Sequence, residues 1–135
     1  MDNRQRLIEA AKEARERAHV VYSEFPVGAA LLTRSGQIFK GCNIENISLR
    51  LTLCAEEVAM GTAVVSGDTE LISIAVVADS ESPVMPCGAC RQMLAEFNPE
   101  LEIISATPGG RVETYSLSEL LPRPKQGIME HKHGD

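Results

Sequence analysis

Apolar positions along the chain predict its elements before any motif is considered. Between residues 3 and 19, Leu7, Ile8, Ala11, Ala14 and Ala18 recur at helical spacing among charged side chains. That pattern predicts an amphipathic first helix whose face is mostly small residues. Residues 26–33, from Pro26 through Val27, Gly28, Ala29, Ala30, Leu31 and Leu32 to Thr33, read as a nearly continuous apolar strand. Arg34-Ser35-Gly36-Gln37 is a turn, and residues 38–44 return as a second strand, making a hairpin. A loop with Asn46 and Ser48 precedes a helix over residues 54–66, stopped by Gly67. Residues 71–78 form a buried strand, and a polar loop over 79–86 leads into a helix over 87–97. Asn98-Pro99 ends that helix, residues 101–105 are a further strand, and Pro108-Gly109-Gly110 turns into a short edge strand over 112–115. The order α-β-β-α-β-α-β-β predicts an α/β fold, a mixed sheet sandwiched by helices. Residues 1–122 then form one domain, and residues 123–135, with little apolar pattern, are expected to be a mobile tail.

Composition narrows the class. A chain of 135 residues has room for a single moderate core, and 4% aromatic content with no Trp makes that core aliphatic. No apolar run approaches the roughly 20 residues that span a bilayer, and the polar N-terminus is unlike a signal peptide. Cytoplasm is the expected compartment. The net charge of −6 argues against a nucleic-acid polymer as partner, because affinity for phosphate backbones comes mainly from Lys and Arg. A small soluble substrate fits better.

The candidate chemistry lies in Cys54-Ala55-Glu56 and, about thirty residues on, Pro86-Cys87-Gly88-Ala89-Cys90. A catalytic zinc site takes three protein ligands and keeps a fourth position open, and thiolates are among its preferred partners. Cys54, Cys87 and Cys90 supply three. Both groups fall at predicted helix starts, where unpaired N–H groups and the helix dipole favour thiolate over thiol. Cys87 and Cys90, three residues apart, face the same way on one helical turn. Glu56, two residues from a ligand, is placed as general acid/base for an attacking water. A Cys-x-Glu followed by Pro-Cys-x-x-Cys is the pattern of zinc-dependent nucleobase deaminases. The implied reaction is hydrolytic deamination of an amidine-like carbon, with Glu56 passing the water's proton to a ring nitrogen. Two other readings of these cysteines stay open. One is a closed structural zinc site whose fourth ligand is Cys42, His19, His131 or His133; the other is a redox pair of Cys87 and Cys90. Cys42 itself is expected to pack as a buried free thiol.

Around these motifs the chain resembles the small zinc-dependent cytidine deaminases. The resemblance runs over residues 22–122 and includes Tyr22-Ser23-Glu24-Phe25-Pro26-Val27-Gly28, Gly41-Cys42-Asn43-Ile44-Glu45-Asn46, Cys90-Arg91-Gln92 and Glu119-Leu120-Leu121-Pro122. It implies a three-layer α/β/α sandwich around a five-stranded mixed sheet, one zinc per chain, and a homotetramer with sites completed by neighbouring subunits. It also implies that Asn43 and Glu45 bind ribose hydroxyls, that Phe25 packs near the pyrimidine, and that Ala55 offers backbone contacts to the base. The substrate so implied is cytidine or a closely related cytosine nucleoside. Three positions depart from the family pattern. Glu57 stands where Arg is common, Ile47-Ser48-Leu49 carries no Tyr, and no Phe follows Leu121-Pro122. The stretch over 54–63 is also similar to blasticidin S deaminases, which lack that Arg too, so a modified or aminoacyl cytosine nucleoside is the alternative substrate. Arg91 is the expected cation near the thiolates, with Arg50 as the other candidate.

Overall fold

Strand β1 (Val27–Thr33) is buried at every position after its first, which requires layers on both of its faces. A chain-wide sheet supplies its edges. In the computed structural model, which describes residues 1–124, β1 lies between β2 (Ile38–Cys42) and β3 (Leu71–Ala78), antiparallel to both. Beyond β3 come β4 (Glu102–Ala106), parallel to it, and β5 (Val112–Ser116), antiparallel to β4. The five-stranded mixed sheet has the order β2-β1-β3-β4-β5.

Alternation along the strands divides two cores. Ala30 and Leu32 of β1, Ala75 and Val77 of β3, and Ile104 of β4 pack with Leu7 and Ala11 of helix α1 (Asn3–Arg15). Their neighbours Ala29, Leu31, Ile74 and Ile103 face the other way, with Ala55, Ala59 and Ala63 of α2 (Ala55–Val65) and Leu94 of α3 (Gly88–Ala95). The short α4 (Leu117–Leu120) joins this second layer through fully buried Leu117. The result is the expected α/β/α sandwich.

Two glycines set how near the helices come. A Cβ on Gly28 would lie 1.9 Å from Ala11 O of α1, and one on Gly41 would lie 2.3 Å from Ala55 O and 2.4 Å from Ala59 N of α2. Glycine is thus required for backbone to meet backbone on each face.

The first helix ends at Arg15, three residues before Ala18, the last position of its apolar pattern. Arg17 N–H and Ala18 N–H bond to carbonyls three residues back, tightening the last turn, and His19 N–H is taken by Asn43 O at 3.0 Å. Pairing with the chain after β2 thus outweighs helical spacing. β2 likewise stops at Cys42, because Ile44 bridges to His19 and Leu53 instead of continuing along β1. Cys42 is half-buried rather than buried. The expected tail lies outside the described residues from position 125 onward.

Candidate metal centre

Helix starts build the site. Cys54 is the residue immediately before α2 and Cys87 the one immediately before α3, both in extended backbone, while Cys90 lies in the first turn of α3. Both helices therefore aim their positive ends at the same place. The three sulfurs lie within 4.8 Å of one another. Sulfurs on a tetrahedral zinc, each about 2.3 Å from the metal, sit roughly 3.8 Å apart, so this cluster closes around the ion with small adjustments. Three thiolate donors fit zinc and leave its fourth position open. Among the described residues neither Cys42 nor His19 joins the cluster; His131 and His133 lie outside them.

Burial grades the ligands: Cys90 is buried, Cys54 half-buried and Cys87 exposed. A hydrogen bond from Cys90 lowers the pKa of Cys54, and the same contact, with burial and the nearby Glu56 charge, pushes that of Cys90 up. Cys90 therefore keeps its proton until a divalent cation displaces it. Metal uptake must then release protons.

Glu56, the second residue of α2, is only 5% exposed. Burial pushes its carboxyl above the ordinary range, and the adjacent Glu57 charge adds to the rise. Glu57 turns back to accept the Cys54 N–H at 2.8 Å. It caps the helix that begins at the first ligand, the role of Glu at the third helical position in a capping box. The spacing Cys54-x-x-Glu57 carried this signal in the sequence. Arg91, expected beside the thiolates, instead donates to Pro86 O at 2.8 Å and Leu120 O at 3.2 Å. Arg50 is exposed in a single 3₁₀ turn over Leu49–Leu51.

The four residues matched to nucleoside contacts fall in two places. Ala55 is buried at the head of α2, between Cys54 and Glu56. Asn43 and Glu45 flank Ile44, which exchanges hydrogen bonds of 2.9 Å each way with Leu53, the residue before Cys54. The Asn43 amide receives Val27 N–H and donates to Phe25 O, bracketing Pro26. The Glu45 carboxylate accepts from the N–H groups of Tyr22 and Ser23 and from Ser23 Oγ. The Ser23 hydroxyl and these N–H groups hold its pKa below the usual carboxylate range. Phe25 is 37% exposed at the end of this segment. Two side chains thus tie the segment over 22–27 to the strand pair that leads into the first ligand.

An open three-thiolate site with a buried carboxylate two residues beyond its first ligand defines a zinc hydrolytic centre. Comparison with known proteins identifies which kind. Residues 1–106 match the family described as "Cytidine and deoxycytidylate deaminase zinc-binding region". A cytidine deaminase from Sporosarcina psychrophila is 49% identical over 119 residues, covering 87% of this chain and 88% of the relative. A blasticidin-S deaminase from Bacillus cereus is 31% identical over 125 residues, 85% of this chain and 89% of that one. The crystal structure of cytidine deaminase from Burkholderia pseudomallei superposes with a TM-score of 0.86 at 46% identity, covering 90% of this chain and 98% of that chain. The chain belongs to the cytidine and deoxycytidylate deaminase zinc-binding family.

Proposed function

We propose that this protein deaminates cytidine or deoxycytidine, with water, to the corresponding uridine nucleoside and ammonia. The observation that carries the reading is Glu56, a buried carboxyl with a raised pKa beside three converging cysteines. A carboxyl shifted toward the working pH can take up a proton and give it back. Cys54, Cys87 and Cys90 would hold zinc, whose Lewis acidity would supply a water nucleophile near neutral pH. Glu56 takes the proton of the attacking water and delivers it to the cytosine ring nitrogen next to the amino-bearing carbon. It then carries the second water proton to the amino group, which leaves as ammonia.

In this reading the anionic Glu45 and the Asn43 amide hold the ribose hydroxyls. Phe25 lies along the pyrimidine, and the backbone at Ala55 meets the base edge. Residues 1–122 carry the activity. The charge of −6 supports a small nucleoside over a nucleic-acid polymer. We assign the protein to the cytoplasm, where zinc-binding thiols stay reduced; among the described residues no helix is long and apolar enough to cross a membrane. A homotetramer is the proposed assembly. Ile47, Leu49, Leu51 and Leu53, 81%, 71%, 58% and 43% exposed, give the single chain an apolar surface of the kind that assembly covers.

The test is turnover by the zinc-loaded protein across cytidine, deoxycytidine, free cytosine and ring- or amino-substituted analogues, following ammonia and loss of the cytosine absorbance. Efficient turnover of cytidine supports the reading; release of no ammonia from any cytosine compound ends it. The likeness to a blasticidin-S deaminase, with Glu57 capping Cys54, favours one second reading, a modified cytosine nucleoside as the preferred substrate. A higher kcat/KM for substituted analogues than for cytidine would select it.

A further inference from the structure

Cys87 is the least protected of the three ligands. Cys87, Gly88 and Ala89 form an exposed turn between buried Pro86 and buried Cys90. Burial therefore does not hold the Cys87 sulfur in place. Hydrogen bonds from Arg91 reach the backbone around it. Its backbone N–H donates to Cys87 O at 3.0 Å, and its side-chain Nε–H donates to Pro86 O at 2.8 Å. One residue thereby grips the carbonyl on each side of Cys87. The far end of the guanidinium is fixed too, because Nη1 donates to Leu120 O at 3.2 Å. Leu120 is the last residue of α4, and α4 is seated in the core by fully buried Leu117. The exposed ligand turn is thus tied, through one planar side chain, to a helix anchored in the apolar interior.

We propose that Arg91 is a positioning residue for the zinc centre: it acts through Cys87, holding that ligand turn at the spacing the metal requires. Geometry, more than charge, is what Arg supplies here. A guanidinium presents several N–H donors in a rigid fork, whereas a Lys ammonium is a compact charge on a flexible stem and does not span two fixed carbonyls in the same way. Partners that orient metal ligands typically contribute about 10- to 100-fold to metal affinity or activity.

The test compares zinc release from the loaded wild type, Arg91→Lys, Arg91→Ala and Gln92→Ala, mixed with excess chromophoric chelator. It needs no substrate, so its outcome is separate from that of the cytidine assay. Arg91→Lys and Arg91→Ala should both lose zinc about 10- to 100-fold faster than wild type. The cobalt-substituted Arg91→Lys protein should show shifted ligand-field bands. Gln92→Ala removes the neighbouring bond to Pro124 O at 3.0 Å and should release zinc at the wild-type rate. Wild-type release from Arg91→Lys would overturn the proposal, because the charge alone would then suffice. Equal acceleration in Gln92→Ala would also overturn it, since release would then follow general attachment of the C-terminal segment. Should Arg91→Ala fail to fold, Arg91→Lys decides.

Discussion

Replacing Gly41 with Ala should damage the metal centre from the opposite side of a helix. The added Cβ would lie 2.3 Å from Ala55 O and 2.4 Å from Ala59 N, both in α2, where ordinary contact begins at 3.4 Å. Strand and helix must separate by about 1 Å. β2 is held against β1 by its ladder, so the movement falls largely on α2, which carries Glu56 and follows Cys54 directly. Overpacking of this kind costs about 1–3 kcal/mol, and displacing catalytic groups by about 1 Å can cost 10²-fold in rate. Gly28→Ala makes the matching control. Its Cβ would meet Ala11 O at 1.9 Å and Arg15 N at 2.6 Å on α1, across the sheet from the cysteines. Urea unfolding, zinc content and kcat on cytidine should be measured for both. Gly41→Ala should lose stability, zinc occupancy and kcat together, while folded Gly28→Ala should lose mainly stability. Equal kcat in Gly41→Ala and wild type, at equal zinc content, would refute the argument that α2 is seated by this backbone contact.

Removing zinc with a chelator should lower the unfolding midpoint, because metal binding that depends on a folded site stabilises that fold; an unchanged midpoint would place the metal elsewhere. Zinc affinity should also fall as pH is lowered, since the cysteines must lose protons to bind, and proton release on zinc addition, followed with an indicator dye, checks this. Glu45 has its pKa held down by Ser23 and the neighbouring N–H groups, so its bonds to the segment over 22–25 are intact above the unfolded carboxyl value of about 4.3. They are lost as pH falls through the lowered folded value. The amide resonances of Tyr22 and Ser23 should therefore titrate in acid, below the ordinary carboxyl range, and cease to do so in Glu45→Gln.

Local pattern and chemistry made most of this molecule legible in its sequence. The apolar runs of β1 and β3 are buried on both faces, and the three cysteines reach one point because each motif sits at a helix start. What escaped depends on contacts between distant segments. The end of α1 is decided by Asn43 O taking the His19 N–H, which no local spacing reports. Arg91 lies beside a ligand in sequence, yet its guanidinium binds Leu120 O, 29 residues away, a partner that nearness along the chain does not report. Helix α4 is only four residues long, too brief for periodicity, although Ser116-x-x-Glu119 marks its start and Ser116 N–H donates to Glu119 at 2.8 Å.

Glu56→Gln separates the buried proton carrier from the zinc that Cys54, Cys87 and Cys90 would hold, the two parts on which deamination of a cytosine nucleoside depends. Zinc per chain and the rate of ammonia release from cytidine should be measured side by side for wild type and variant. Both proteins should hold one zinc per chain, with turnover reduced by about 10²- to 10⁴-fold or more in the variant, because the ligands remain while the proton carrier is lost. A zinc-loaded Gln variant that works within about tenfold of wild type, or a zinc-loaded wild type that releases no ammonia from cytidine, would contradict it.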